Sequence, residues 1–340
     1  MSTRSFVLRP APPFRLDLTV WALRRRTQNA VDRWERQRYR RALVFDDALL
    51  ELSVAQSAPA EAPQLEVGLR GPRLTPSAVD AARSALTRML GLHVDLSGFY
   101  ARAAHDQVLR ELADRYRGVK PPRFPTVLEC LLNAVACQQL SLEAGLTLLS
   151  RLATTAGRAT SALHAFPEPA DVVGLSRSAL QALGFSAHKS ETIHELAEAS
   201  VAGELTLETL EPLDDASVVE ALVRRRGIGR WSADYVLLRG LGRLHVFPQS
   251  DVGALNGLRS FLATAGRDED PRSALTRWAP DAGLLYFHLL LRGLEQRGHD
   301  LALPASPRQA ASPRNRAVAD SHDSGSAVAS AARERCRETT

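Results

Sequence analysis

The chain has 340 residues, more than one ordinary domain needs, and 45% of them are hydrophobic, enough to fill a core. Its formal net charge of +5 permits an anionic partner without selecting one; only Lys120 and Lys189 are lysines, so the positive charge sits almost wholly on arginine, whose planar guanidinium suits forked phosphate contacts. Cys130, Cys137 and Cys336 are too few and too scattered for a Cys-rich metal motif or a disulfide framework, and no apolar run has the length of a signal peptide or a membrane span, so a soluble cytoplasmic protein is expected.

Residues 14–71 read as strands and turns. Leu16 to Leu18 alternates, Tyr39 to Phe45 and Leu50 to Val54 are extended runs, and Asp46-Asp47 turns the chain between them. One helix, Val20 to Arg26, interrupts these strands. From Pro76 the spacing becomes helical and stays so to about Arg297. The expected fold class is therefore α+β, with an antiparallel β-sheet domain over 12–90 followed by an all-α domain over 91–300. Beyond Pro304 no periodic apolar residues remain, so 301–340 is expected to be a disordered tail whose arginines add non-specific affinity for an anionic partner.

Inside the helical part, Thr126 and Glu129 have capping-box spacing ahead of Val127, Leu128, Leu131, Leu132 and Val135, which predicts a buried helix from 127 to about 137. Ser141 caps the next helix, which tolerates Gly145 at some cost in propensity; Cys137-Gln138-Gln139-Leu140 makes a tight corner between the two. Ser217 with Glu220 opens a short helix that ends at Arg226. Gly227-Ile228-Gly229 then turns the chain into a second helix starting near Trp231, so a helix, a glycine hairpin and a helix occupy 217–240.

Glycines in such a hairpin allow positive φ and close approach, and the first amides of the second helix face outward at its positive end, which suits a phosphate. Arg224, Arg225, Arg226, Arg230, Arg239 and Arg243 stand against one acid, Asp234, between 221 and 245, and raise the local potential. A simple packing corner is the plainer alternative. Next comes Phe247-Pro248-Gln249-Ser250-Asp251, then an apolar helix through Val252, Leu255, Leu258 and Leu262. Asp251 is placed to cap that helix, and a cap is all that an aspartate there often is. The same carboxylate, facing amides that favour negative charge, would also suit an oxocarbenium-like sugar during glycosidic cleavage. His288, within the apolar stretch Leu284 to Leu291, reads as a packed core histidine.

The run from Leu222 through Arg224-Arg225-Arg226-Gly227-Ile228-Gly229-Arg230-Trp231-Ser232 to Tyr235, with Asp251 twenty residues after the tryptophan, resembles the helix-hairpin-helix (HhH-GPD) base-excision DNA glycosylases, in particular the 3-methyladenine DNA glycosylase II branch. Ala136 to Ser141 matches that family's Gln-rich corner, and Leu16 to Val54 is similar to the branch's N-terminal β domain, so the resemblance covers about 12 to 298. It implies that Asp251 is the catalytic carboxylate and that Trp231, Tyr235 and Trp21 wall a base pocket, with an ordinary core role as the lesser alternative for the first two. Gln139 would fill the gap left by a flipped nucleotide or else bond its own loop, while Gly227, Ile228, Gly229, Arg230 and Ser232 would meet the DNA backbone. Stacked aromatic faces would attract the positive ring of an alkylated purine.

The implied activity is release of 3-methyladenine and 7-methylguanine from duplex DNA by a nucleoid-associated monomer that needs no cofactor or catalytic metal. The family's hairpin often holds a monovalent cation on backbone carbonyls, with Gly227 and Gly229 as the candidates here. Bifunctional members carry a Schiff-base lysine near Trp231; this chain has none on that helix, Lys120 and Lys189 lying elsewhere in the sequence, so no lyase step is expected. Cluster-binding members carry four closely spaced cysteines, which are missing. A non-catalytic DNA-binding protein and a glycosylase for mismatched or oxidised bases are the alternatives; a pure binder would gain nothing from a carboxylate near phosphates.

Overall fold

The computed structural model describes residues 1–302, which form one compact unit. Nearly all of the expected disordered tail lies outside the described residues. Five antiparallel strands make a single sheet in the order β1-β5-β4-β3-β2, with β1 at Ser2–Leu8, β2 at Arg33–Glu35, β3 at Arg38–Phe45, β4 at Ala48–Gln56 and β5 at Leu65–Gly71. The register sets Tyr39 opposite Val54 and Val54 opposite Val67, with Leu52 between Arg41 and Leu69, so alternate residues of three strands enter one buried face. Asp46 and Asp47 turn β3 into β4 at φ 47° and 59°, the left-handed pair that a two-residue hairpin between twisted strands requires.

Two strand expectations need correction. Leu16 to Leu18 is not extended but forms the first turn of α1 (Leu16–Arg24); eight of that helix's nine residues are buried, so no single apolar stripe marks its period. β1, ahead of the expected domain start at 12, was not foreseen. It is an edge strand with five of seven residues exposed, and such a strand has no buried face to produce alternation.

The described residues continue through fourteen more helices: α2 (Pro76–Met89), α3 (Ser97–Ala103), α4 (Gln107–Arg115), α5 (Val127–Cys137), α6 (Leu142–Ala156), α7 (Pro169–Val173), α8 (Arg177–Ala182), α9 (Ala187–Val201), α10 (Leu207–Leu210), α11 (Asp215–Val223), α12 (Arg230–Arg239), α13 (Val252–Thr264), α14 (Pro271–Arg277) and α15 (Ala282–Gln296). The class is α+β, sheet first and helices after. No described helix is long and apolar enough to cross a membrane.

α5 is the central post. It is buried along ten of its eleven residues and packs on α6, α9 and α12. Thr126 caps it by accepting the Glu129 amide at 3.1 Å, but the Glu129 carboxylate does not close the box. It turns inward to Arg41 of β3, which donates to Glu129 at 2.5 Å and to Asp32 at 2.7 Å, while the Tyr39 hydroxyl donates to Asp32 at 2.7 Å. This buried charge cluster ties the sheet to α5. Ser141 caps α6 through the Ala144 amide, and Gly145 is there for contact: a Cβ on it would lie 2.6 Å from the Cys137 sulfur. α11 starts two residues before Ser217, because Asp214 accepts the Ser217 amide at 2.7 Å and takes the cap.

Candidate functional site

The corner after α5 is held from two sides. Gln138 is extended and turns inward, its side-chain amide donating to the Gly227 carbonyl at 2.9 Å and to the Ser232 hydroxyl at 3.1 Å. From α9 the Lys189 ammonium donates to the Ala136 and Gln138 carbonyls at 3.1 and 2.8 Å, closing the carboxyl end of α5. Gln139 then adopts φ 54° and is exposed, with no side-chain hydrogen bond to the described residues. The loop-bonding role that sequence left open for Gln139 belongs to Gln138. Leu140, beside it, is 46% exposed, a large apolar side chain turned to solvent that sequence reasoning did not single out.

The hairpin forms between α11 and α12. Gly227 takes φ 75°, and a Cβ there would stand 2.3 Å from the Thr192 hydroxyl, so α9 and the hairpin touch without room for a side chain. Ile228 is buried and anchors the loop. Gly229 is the N-cap of α12 with an extended backbone and open space around it, and no side chain caps the helix. The first turn therefore presents its amides outward, past Arg230. Ser232 is buried against Gln138 and supports the hairpin from inside, away from the backbone contact expected of it. The Gly227 carbonyl accepts from Gln138 and the Gly229 carbonyl from the Ala233 amide, so a cation on this hairpin would share both with protein donors.

The arginine excess read along the chain is largely balanced in space. Arg224 pairs with Glu220, Arg225 with Glu204, Arg226 with Glu191 at 2.6 Å, Arg230 with Asp234 at 2.8 Å and Arg243 with Asp215 at 3.5 Å. Arg239 is fully buried and donates to the Ala22 carbonyl. Glu191 and Glu204 come from α9 and the loop after it, outside the window in which charges were counted.

Asp251 caps α13, accepting the Ala254 amide at 2.8 Å on one oxygen. Its other oxygen accepts the Trp231 indole N–H at 3.2 Å, so the first turn of α12 and the cap of α13 are joined through this carboxylate. Trp231 lies 5.6 Å from Tyr235, ring centre to ring centre, at 33°. A cleft opens here in two lobes that share Leu140, Trp231 and Asp251. The surface lobe, about 770 Å³, takes in Gln138, Gln139, Gly227 and Lys189; the inner lobe, about 520 Å³, is lined by Tyr235, Tyr286 and Arg25. Burial raises the Tyr286 phenol above its usual range, helped by the negative charge of Asp251, and burial likewise raises Tyr235.

Of the residues expected at the site, Asp251, Trp231, Tyr235, Gln139 and Gly227 meet along this cleft. Trp21 does not. Its ring faces His299 at 5.3 Å and the Arg24 guanidinium at 3.7 Å, while Arg25, at φ 60° at the end of α1, lines the inner lobe. Lys189 corrects the sequence reading in the other direction. Remote in the chain, it is brought by α9 to the cleft that holds Asp251, with burial lowering its ammonium below the usual lysine range. Tyr286 was hidden in an apolar run read as core, and Arg25 stood out only as one of three consecutive arginines. His288 is buried as expected, with Nδ1 2.8 Å from the Leu284 carbonyl. Among the described residues no group of three or more His, Cys, Asp or Glu is placed to hold a metal ion.

Residues 132–280 match the family model described as HhH-GPD superfamily base excision DNA repair protein. The chain is 31% identical over 152 residues to DNA-3-methyladenine glycosylase 1 of Schizosaccharomyces pombe, covering 44% of this chain and 64% of that one. It is 30% identical over 137 residues to DNA-3-methyladenine glycosylase 2 of Escherichia coli, covering 39% and 48%. The chain spans between 40% and 65% of the length of the curated relatives it matches. In fold it is similar to a 3-methyladenine DNA glycosylase from Archaeoglobus fulgidus, with a TM-score of 0.71, 23% identity, and coverage of 84% of this chain and 97% of that one.

Proposed function

We propose, from the match of residues 132–280 to the HhH-GPD base-excision repair model, that this chain is a DNA glycosylase that flips an alkylated purine, 3-methyladenine or 7-methylguanine, out of the duplex and hydrolyses its bond to the sugar. The observation that carries this reading is the 3.2 Å bond from Trp231 to Asp251, which fixes the carboxylate against the helix that a DNA-gripping hairpin begins. The names of the glycosylase relatives support the same lesion class.

Phosphates of the damaged strand meet the open amides after Gly229, and Arg230 stands beside them. Gln139 and Leu140, exposed at the lip, enter the stack as the nucleotide leaves it; flipping costs a few kcal/mol, least where damage has weakened pairing. The flipped base stacks on the Trp231 and Tyr235 pair, whose faces favour a cationic ring. Asp251 then faces the sugar. As the C1′–N bond breaks, its electron pair neutralises the base, the carboxylate stabilises the oxocarbenium ion, and water adds to C1′. Lys189, held by two carbonyls, takes no covalent part, so no strand cleavage follows. The protein works as a monomer on the chromosome in the cytoplasm.

The test is base release from methylated duplex DNA by the protein and its Asp251→Asn variant, with abasic sites and strand nicks scored separately. Asparagine keeps the α13 cap and removes the charge. Methylpurine release by the parent alone, without nicks, is the expected result. Tight, salt-sensitive binding by both proteins with no release would leave a non-catalytic DNA-binding protein, and nicks together with a protein–DNA adduct trapped by borohydride reduction of an imine would bring Lys189 into the chemistry.

A further inference from the structure

The surface lobe of the cleft is lined by one ammonium, Lys189, and one carboxylate, Asp251, and the two do not pair with each other. Lys189 stands in the first turn of α9, where Ser186 caps the helix by accepting the Lys189 amide at 3.3 Å. A lysine ammonium carries three N–H donors. Two of them meet the Ala136 and Gln138 carbonyls, and among the described residues nothing accepts the third. No described carboxylate lies within ion-pair distance of it either. Burial lowers the ammonium below the usual lysine range, which marks a cation short of negative partners.

A cation at the carboxyl end of α5 is favourable against the helix dipole, and closing that helix accounts for two of the donors. It does not account for the third, nor for the place of the lysine in the wall of the lobe that holds Asp251. A nucleotide in this lobe is negative at its phosphate and becomes positive at its sugar as the base leaves. An ammonium and a carboxylate that leave each other unpaired match those two charges. We propose that Lys189 binds a backbone phosphate adjoining the flipped nucleotide through its third N–H, while the other two hold the corner that bears Gln139 and Leu140, and that it thereby sets the sugar against Asp251. The inference rests on the glycosylase reading above and adds a positioning residue to the same site.

The corner gives this contact its leverage. Gln138 accepts Lys189 at its carbonyl and donates from its side-chain amide to the Gly227 carbonyl, so the lysine and the hairpin are joined through one residue. α9 packs on α5, and its Thr192 meets the hairpin at Gly227 with no room for a side chain, so the ammonium stands on a rigid element. A phosphate on Lys189 and a phosphate on the open amides after Gly229 are then held at a fixed spacing by the protein. The residue type fits the task. A compact tetrahedral head can serve acceptors in three directions at once, whereas the arginine fork keeps its donors in one plane.

The experiment measures binding and single-turnover release on duplexes with one 7-methylguanine, in which each backbone phosphate near the lesion is replaced in turn by an uncharged methylphosphonate. For the parent protein, one replacement adjoining the lesion should weaken binding about tenfold, the scale of one hydrogen bond to a charged group. Lys189→Met should lose about as much on the unmodified duplex and lower the slope of log K against log salt by about 0.9. It should lose nothing further at that one position, while still losing affinity at the other contacted phosphates. Lys189→Arg, which keeps the charge but not the tetrahedral head, should recover part of the affinity. If Lys189→Met does not fold, Lys189→Gln takes its place, since its amide can still donate to a carbonyl of the corner. A variant that responds to every methylphosphonate as the parent does would overturn the proposal and leave Lys189 as the closing group of α5, with the glycosylase reading intact so long as the parent releases 7-methylguanine. No release by the parent from any of the duplexes would remove that reading and the positioning role with it.

Discussion

At Gly227 the side chain is excluded twice, by a φ of 75° and by a Thr192 hydroxyl 2.3 Å from where a Cβ would sit. Gly229, two residues on, has extended backbone and empty surroundings. Gly227→Ala should therefore cost about 1–2 kcal/mol from the backbone alone, more with the clash, and lower the urea midpoint. Gly229→Ala should leave that midpoint in place and weaken duplex binding, because its methyl group would stand where phosphate approaches. Equal midpoints for the two variants would contradict the geometry. His288 gives a second single-residue test. Burial pushes its imidazole down to about 4, so below the ordinary value of about 6.5 the unfolded chain takes up a proton that the folded one refuses. Stability should fall as pH drops from 6.5 to 4, by up to about 1.4 kcal/mol per pH unit, and be flat above that window as far as this group is concerned. His288→Asn, whose amide can still donate to Leu284, should remove this component from denaturation curves at pH 7.5, 6 and 5.

Among the elements, α5 decides how the halves of the chain meet. Arg41 of β3 lies between Asp32 and Glu129, all three buried, so the sheet is fastened to α5 by charges that balance only as a set. Arg41→Met would leave two carboxylates in the interior without their cation. The expected loss is about 3–5 kcal/mol, read from urea unfolding, and Arg41→Met combined with Glu129→Gln and Asp32→Asn should recover much of it. Most elements that position the site were legible because each carries local chemistry: Thr126 and Ser141 cap, Gly227 turns, and the apolar spacing of 127–137 gives α5. Elements without such marks were missed, namely β1, exposed on an edge, and the start of α1, buried nearly all round. The site shows the same division. Asp251, Trp231 and Tyr235 share one local pattern and were found together, whereas Lys189, Arg25 and Tyr286 arrive from α9, the end of α1 and α15, and only packing brings them to the cleft.

For the molecule as a whole, charge counted along the chain and charge met by a ligand are different quantities. Five of the six arginines around the hairpin face carboxylates, several supplied by distant segments, and an exposed pair of this kind is worth no more than about 1 kcal/mol. A phosphate can take over such a guanidinium at little cost, but the displaced carboxylate then repels the same backbone. On the glycosylase reading proposed above, the acids restrain binding to undamaged DNA, where backbone contact is nearly all there is to gain. Replacing Glu191 and Glu204 by glutamine frees Arg226 and Arg225 without touching Asp251 or either lobe of the cleft. The double variant should bind undamaged duplex more tightly, and its affinity should fall more steeply with salt, the slope of log K against log salt growing by about 0.9 for each arginine that reaches a phosphate. Single-turnover release from a saturated methylated duplex should not change, since the groups that face the sugar are untouched. An unchanged salt slope would place Arg225 and Arg226 away from the DNA and leave the open amides after Gly229 as the main phosphate contact of the hairpin.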